Sequence, residues 1–142
     1  MIYLDTSCLV KLYYPEPESA RVAALVQGKP ICHNSLHELE FHNALQLKVF
    51  AGTATAAQAA AAIAMVAADL RAGVLVSPAI DWNDVFAEAV RLADGHTATI
   101  GCRSLDILHC AAAKILNAAE FVTNDARQKK LAAVLGLNLV VV

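Results

Sequence analysis

Four acidic residues lie far apart along the chain, at positions where the predicted elements would bring them to one end of a sheet. Asp5 ends a short apolar run, and Asp125 comes shortly after a second one. Glu40 and Asp106 lie inside or at the start of predicted helices that are otherwise largely apolar. Carboxylates that are scattered in sequence and gathered in space usually hold a hard divalent cation. The set therefore indicates metal-assisted hydrolysis of a phosphodiester.

Each acid also has an ordinary structural explanation. Asp5 could be a turn residue, Asp125 could cap a helix, and Asp106 could be a first-turn acid that complements a helix dipole. Any one of these explanations is adequate alone. Four acids at the same edge of a sheet are less easily explained by coincidence, so the combination favours a shared site.

The helix predicted after residue 35 leaves two candidates for its acid. At 100° per residue, one face carries the apolar residues Leu36, Leu39, Leu47 and Phe50. Glu40 falls inside that face, where a carboxylate is costly unless it is paired or binds a metal. Glu38 lies on a second apolar side of the same helix. Periodicity alone leaves both open, with a small preference for Glu40.

Strand and helix patterns alternate along the chain. We expect strands at 2–5, 30–33, 74–76, 120–123 and 139–142, and helices at 8–14, 18–27, 35–51, 55–72, 83–93, 104–117 and 125–135. Thr6 or Ser7 is the predicted cap of the first helix, and residues 94–103 are predicted to be a loop. The alternation predicts one α/β domain, residues 1–142, with a parallel sheet and helices on both faces. Ligands bind such sheets beyond the carboxyl ends of the strands.

The bulk composition limits the possible partners. The chain has 142 residues, 58% of them hydrophobic, with a mean hydropathy of +0.50. That is high for a soluble monomer and is consistent either with a surface buried in an oligomer or with the alanine content. The net charge of -2 argues against a broadly basic nucleic-acid surface, so a local basic patch or metal ions would have to hold any nucleic acid.

Neither a membrane span nor a targeting segment is expected. Residues 54–68 are apolar, but they are mostly alanine and fall short of a membrane span. The four cysteines form no Cys-x-x-Cys pair, which favours free buried thiols in a reducing cytoplasm over a zinc or redox motif. We therefore expect a cytoplasmic protein that does not act at a membrane.

The histidines give no convincing zinc motif. His37 and His42 are five apart, so they cannot share an ion as an i, i+4 pair does. His33 and His37 are four apart, but His33 is predicted to lie in a strand, which favours a surface or capping role. His109 shares the helix face of Asp106 and is expected to be a packed, hydrogen-bonded residue.

Basic residues near the acids could contact phosphate. Arg103 comes directly before the helix of Asp106 and is the best single candidate, although an ordinary exposed loop arginine is an equal alternative. Arg127, Lys129 and Lys130 follow Asp125 on a helix. Such a cluster is usually a solvated face, but it could also supply a local positive patch.

The acidic segments resemble those of PIN-domain proteins. The opening Ile-Tyr-Leu-Asp-Thr-Ser resembles their start, and Glu-Phe-His-Asn-Ala-Leu from residue 40 resembles their second acidic motif. Leu-Asp-Ile-Leu-His-Cys-Ala-Ala-Ala from residue 105 is similar to the third motif, and Phe-Val-Thr-Asn-Asp from residue 121 to the fourth. Each motif is weak alone, but their order and spacing cover essentially the whole chain. The length and the Tyr-Tyr-Pro-Glu-Pro segment further resemble small VapC-type toxins of toxin–antitoxin pairs.

This resemblance implies a PIN-like three-layer α/β fold, with a five-stranded parallel sheet of order 3-2-1-4-5 flanked by helices. It implies a Mg²⁺- or Mn²⁺-dependent endoribonuclease that hydrolyses RNA phosphodiester bonds with a metal-activated water. It also implies a homodimer, inhibited by a small antitoxin protein that covers the acidic pocket, as in VapBC-type pairs.

The resemblance also assigns residues. It gives catalysis and metal binding to the same four acids, Asp5, Glu40, Asp106 and Asp125, and so decides for Glu40 over Glu38. It makes Ser7 and Thr123 polar supports beside the first and fourth acids. Because clustered carboxylates repel one another, at least one acid is expected to have a raised pKa in the absence of metal.

Two other functions remain open. A non-catalytic RNA- or protein-binding module on the same fold would be expected to have lost acids, whereas all four are present. A metal-dependent DNase is the second alternative, although the chain lacks the insertions of large DNA-handling relatives.

Overall fold

Five parallel strands form the central sheet of the computed structural model, which describes residues 1–142. They are β1 (Ile2–Leu4), β2 (Ile31–Cys32), β3 (Leu75–Val76), β4 (Glu120–Thr123) and β5 (Leu139–Val141). Their order is β3-β2-β1-β4-β5, as predicted. The register aligns Ile2 with Ile31 on one side and with Glu120 on the other. The carboxyl ends of β1 and β4 are therefore neighbours.

Helices connect and cover the strands. They are α1 (Thr6–Tyr13), α2 (Ser19–Val26), α3 (Ser35–Phe50), α4 (Ala56–Ala72), α5 (Trp82–Leu92), α6 (Ala98–Ile100), α7 (Ser104–Ile115) and α8 (Ala126–Val134). None of them combines the length and apolar character needed to cross a bilayer. The strand and helix positions predicted from the sequence differ from these by only a few residues at each end.

The segment predicted as a loop at 94–103 is mostly helical, so that prediction was wrong. A π-helical turn, Ala93–Thr97, continues α5 and leads directly into α6. The neighbouring Leu92 is fully buried, and Ile100 packs against the same core cluster. These tertiary contacts outweigh the weak helix propensity of glycine and threonine, and the segment ends at Gly101, with φ of +75°.

The core has two parts, one on each face of the sheet. Leu4 and its neighbours pack with α1 to α4, whereas Tyr3 and Phe121 pack with α5, α7 and α8. Successive residues of β1 thus point to opposite faces, as a strand requires. The four cysteines are buried and unpaired across these two clusters, as expected. The result is the three-layer arrangement predicted from the sequence.

The predicted core face of α3 was wrong. Leu39, Leu47 and Phe50 are exposed, and the buried residues are Leu36, His37, Phe41 and Leu45. His37 decides the orientation, because its Nε2 lies 2.7 Å from the carbonyl oxygen of Leu4 and holds that side of the helix against β1. Glu40 therefore lies at the border of the buried face.

This orientation of α3 predicts unequal effects of two identical substitutions. Phe41 is 1% exposed and Phe50 is 90% exposed on the same helix. Phe41→Ala should lower the free energy of unfolding by about 3–5 kcal/mol, whereas Phe50→Ala should change it by less than about 0.5 kcal/mol. Urea denaturation followed by circular dichroism measures both. Similar losses in the two variants would contradict the orientation described here.

Candidate active site

Asp5 caps α1 from the end of β1. Its Oδ1 accepts hydrogen bonds from the backbone N–H of Cys8 at 2.7 Å and from the Ser7 hydroxyl at 2.8 Å. Its Oδ2 accepts one from the Thr123 hydroxyl at 2.6 Å. The cap of this helix is therefore Asp5, and the expectation that Thr6 or Ser7 caps it was wrong. The carboxylate is buried, and each of its two oxygens accepts at least one hydrogen bond.

Asp125 repeats this arrangement at the end of β4. Its Oδ1 caps α8 by accepting the backbone N–H groups of Arg127 at 2.7 Å and Gln128 at 3.0 Å. Its own N–H donates to the Thr123 hydroxyl oxygen at 3.0 Å. Because that hydroxyl also donates to Asp5, Thr123 joins the first and fourth acids in one hydrogen-bonded unit.

Asp106, in the first turn of α7, faces the start of α8. Its Oδ1 accepts a hydrogen bond from the Gln128 side chain at 3.3 Å. Arg127 lies between two acids, with Nε 3.4 Å from Asp106 Oδ2 and Nη2 3.8 Å from Asp125 Oδ2. The contact to Asp106 is an ion pair without hydrogen-bond alignment, since the buried Nε has no hydrogen-bond partner. Arg127 is therefore the internal counter-ion of these two carboxylates.

The charges of these three acids act on a shared neighbour. Burial raises the pKa of the Cys110 thiol above its ordinary value, and the negative charges of Asp106, Asp5 and Asp125 raise it further. Cys110 thus remains a neutral thiol near the carboxylates that cap α1 and α8 and the one in the first turn of α7. The structure brings these three predicted site residues together.

Glu40 approaches the same edge from α3, through different partners. Its Oε2 accepts the Thr6 hydroxyl at 2.8 Å and lies 2.5 Å from His109 Nε2. The other ring nitrogen of His109, Nδ1, lies 3.0 Å from the Tyr3 hydroxyl. His109 is thus the packed, hydrogen-bonded residue that was expected. Glu38, the rejected alternative, is exposed on the same helix.

Burial alone would raise the pKa of Glu40, but the hydrogen bonds from His109 and Thr6 and the nearby His109 ring hold it below its ordinary value. This is opposite to the increase expected for clustered carboxylates. The physical reason is that the Glu40 carboxylate contacts the Thr6 hydroxyl and the His109 imidazole and no other carboxylate.

A cleft of about 300 Å³ connects Glu40 with the residues beside Asp5. Ser7, Glu40 and Leu105 line it, so the exposed side of Ser7 and the helix of Asp106 both border the opening. Arg103 is 72% exposed and its Nε lies 3.9 Å from Asp106 Oδ2, at the start of α7. Lys129 instead reaches back to the Asn124 side chain.

This edge carries oxygen ligands of the type that a hard divalent cation prefers, but they are not gathered around one point. Asp125 Oδ2 and Glu40 Oε1 accept no hydrogen bond, and the buried Gln128 Oε1 has no partner. In the arrangement seen, no three acidic, histidine or cysteine side chains converge closely enough to hold a metal ion. Arg127 lies between two of the candidate ligands.

Sequence reasoning did not find three participating residues. Thr6 contacts Glu40, and Gln128 contacts Asp106. Arg127, which pairs with Asp106, was considered only as part of a basic cluster. The signal for Arg127 and Gln128 was their position two and three residues after a capping aspartate. The backbone N–H groups at these positions bond the cap, which keeps both residues near it. Thr6 was predicted only as a possible cap of the first helix.

The lowered pKa of Glu40 predicts a pH-dependent stability difference. A carboxylate with a depressed pKa stabilises the folded state above its ordinary value of 4.5, and this contribution disappears as pH falls through the folded-state pKa. Glu40→Gln should therefore lose about 1 kcal/mol at pH 7 and less at pH 3. Glu38→Gln is the matched control on the same helix. A loss for Glu40→Gln that is equal at both pH values would contradict the charged hydrogen bond.

Comparison with known proteins agrees with this architecture. The structure of VapBC2 from Rickettsia felis, bound to a DNA fragment from their promoter, aligns over 99% of this chain and 98% of that chain, with 20% identity and a TM-score of 0.65. FitAcB from Neisseria gonorrhoeae aligns over 98% and 96%, with 17% identity and a TM-score of 0.60. No curated protein matches the sequence significantly. The PIN domain model matches residues 2–134, and the chain therefore belongs to the PIN domain family.

Proposed function

We propose that this protein is a Mg²⁺- or Mn²⁺-dependent endoribonuclease, the toxin of a VapBC-type toxin–antitoxin pair. PIN domains are generally nucleases that use divalent metals. The observation that carries the proposal is the link between three acids from three elements. Thr123 joins Asp5 to Asp125, and Arg127 joins Asp125 to Asp106.

In this proposal Asp5, Glu40, Asp106 and Asp125 would hold the metal. A bound Mg²⁺ or Mn²⁺ supplies an activated water and positive charge for the leaving oxygen. Thr123 and Ser7 fix the rotamer of Asp5, so that little reorganisation is needed at the acid. Arg103, exposed beside Asp106 at the start of α7, contacts the RNA phosphate.

The proposed partners follow from the relatives. The R. felis and N. gonorrhoeae neighbours are toxin–antitoxin complexes, which supports a small antitoxin as the partner that covers the acidic cleft. We also propose a homodimer in the cytoplasm. The exposed side chains of Phe86 and Val90, beside an apolar groove between α5 and α7, are surface that a second copy would bury.

Loss of the Asp5 charge should remove activity. Asp5→Asn keeps an acceptor for the α1 cap but weakens metal binding, so cleavage of single-stranded RNA with Mg²⁺ or Mn²⁺ should fall at least about 100-fold. Growth arrest on induction should be lost in parallel. Asp84→Asn, which removes an exposed carboxylate from the first turn of α5, is the control and should retain both.

Undiminished cleavage by Asp5→Asn would defeat the assignment of the site. A wild-type protein that cuts DNA in preference to RNA would overturn the ribonuclease proposal in favour of the DNase alternative. Absence of both cleavage and Mn²⁺ binding would favour the non-catalytic module.

Arg127 should compete with the metal for the same carboxylates. Because its guanidinium lies between Asp106 and Asp125, Arg127→Gln should tighten Mn²⁺ binding about threefold, the value of a partly exposed ion pair. Titration by electron paramagnetic resonance measures the affinity directly. Arg91→Gln, which breaks an ion pair with Glu88 elsewhere on the surface, is the matched control. Weaker Mn²⁺ binding by Arg127→Gln would show that Arg127 supports the site instead.

A further inference from the structure

A second polar cavity lies at the carboxyl ends of β2 and β3, and none of the four acids lines it. It has a volume of about 290 Å³, and its lining includes His33, Asn34, Ser35, Glu38, Ser77 and Trp82. We call it the β2–β3 pocket. The residues come from the segments that follow both strands and from the first turns of α3 and α5.

His33 is the unusual residue of this pocket. It is only 5% exposed, yet its side chain makes no hydrogen bond to the rest of the chain. Its ring stacks on that of His37, with centroids 6.0 Å apart and an interplanar angle of 27°. Burial lowers the pKa of His33, partly opposed by Glu38, so the neutral ring offers one donor and one acceptor near pH 7. No group of the chain bonds either ring nitrogen, so both are free to bond a ligand that enters the pocket.

The other lining residues restrict the chemistry of that ligand. Glu38 is the only charged side chain in the lining, which disfavours a phosphate. Trp82, half-buried at the start of α5, presents an aromatic ring to the cavity. Ser35 and Ser77 add hydroxyl groups. A flat, uncharged ring with hydrogen-bonding groups on its edge could stack on the tryptophan and form hydrogen bonds with the imidazole and the carboxylate.

The pocket lies on the same edge of the sheet as the acids. Asp5 directly follows β1 and Asn34 lies two residues beyond β2, and these two strands are paired in the sheet. A chain of side chains also joins the two sites. Asn34 Nδ2 donates to the Tyr3 hydroxyl at 3.3 Å, and that hydroxyl contacts His109, the partner of Glu40.

We propose that the β2–β3 pocket binds an unpaired nucleobase next to the phosphate held at the acidic site. This inference rests on the proposed function, which places the RNA backbone at the acidic site. Trp82 stacks on the base, His33 bonds its edge, and Glu38 accepts a hydrogen bond from an exocyclic amino group. The pocket therefore prefers adenine, cytosine or guanine to uracil, and it makes the protein selective for the base beside the cut.

The fluorescence of Trp82 provides a direct test, because it is the only tryptophan in the chain. Asp5→Asn protein is titrated in Mg²⁺ with short single-stranded homopolymer RNAs of each base. We expect saturable quenching that is several-fold tighter for amino-bearing bases than for oligouridine. Adding Glu38→Gln should remove most of this preference, whereas adding Asp84→Asn should leave it unchanged.

A labelled RNA measures the stacking contribution by fluorescence anisotropy. Trp82→Ala should weaken binding at least about fivefold, and Trp82→Phe should recover part of that loss. Phe50→Ala, which removes an exposed aromatic ring far from the pocket, should have no effect. Circular dichroism verifies that each variant is folded.

The outcomes separate this inference from the proposed function. RNA cleavage by the wild-type protein without any quenching of Trp82 would overturn the pocket and leave the nuclease proposal intact. Quenching without cleavage would support the pocket and defeat the nuclease proposal. A change of Trp82 emission on dilution of the protein alone, with no response to RNA, would overturn the inference in favour of a protein–protein interface.

Discussion

The architecture of the site depends on a change of direction between two neighbouring strands. After β1 the chain turns to the face covered by α1, and after β4 it turns to the opposite face, covered by α8. This divergence opens a gap at the carboxyl ends of the two strands, where ligands bind in open α/β sheets. The Thr123 hydroxyl spans that gap, donating to Asp5 and accepting from Asp125. Asp5 and Asp125 are close because they follow neighbouring strands, at the point where the chain leaves these strands toward opposite faces of the sheet.

Close carboxylates repel one another, and two helix N-termini and an arginine side chain offset this repulsion. Asp5 and Asp125 each cap a helix, so the positive ends of α1 and α8 act on two of the negative charges. Arg127 supplies a full positive charge between Asp125 and Asp106. The same carboxylates therefore stabilise two helices and remain candidate metal ligands, with Asp125 Oδ2 free of hydrogen bonds.

The Glu40 carboxylate is stabilised by a different set of contacts. A hydrogen-bonded chain through Tyr3 and His109 passes between the sheet and the helices and ends on its carboxylate. Buried polar groups are tolerated only when their partners are present, and each member of this chain has one. The chain also reaches Asn34, which places the β2–β3 pocket and the acidic edge on one connected set of side chains.

Much of the fold follows from local patterns that the residues carry themselves. The strand at Ile2–Leu4 and the helices that begin near Ser35 and Trp82 depend on neighbours within a few positions, so periodicity finds them. Resemblance to the PIN family supplied the strand order, which no local pattern contains. The loop predicted at 94–103 failed because packing of Leu92 and Ile100 outweighs the helix propensity of the segment.

The sequence by itself determined that four acids would follow strands or lie early in helices, because those positions depend on local signals. Only the tertiary structure decided which side of α3 is buried, that Arg127 turns inward, and that Glu40 pairs with His109. These contacts join residues separated by tens of positions, and their energies depend on packing against the sheet. A helix with two apolar sides, such as α3, has no local preference strong enough to choose between them.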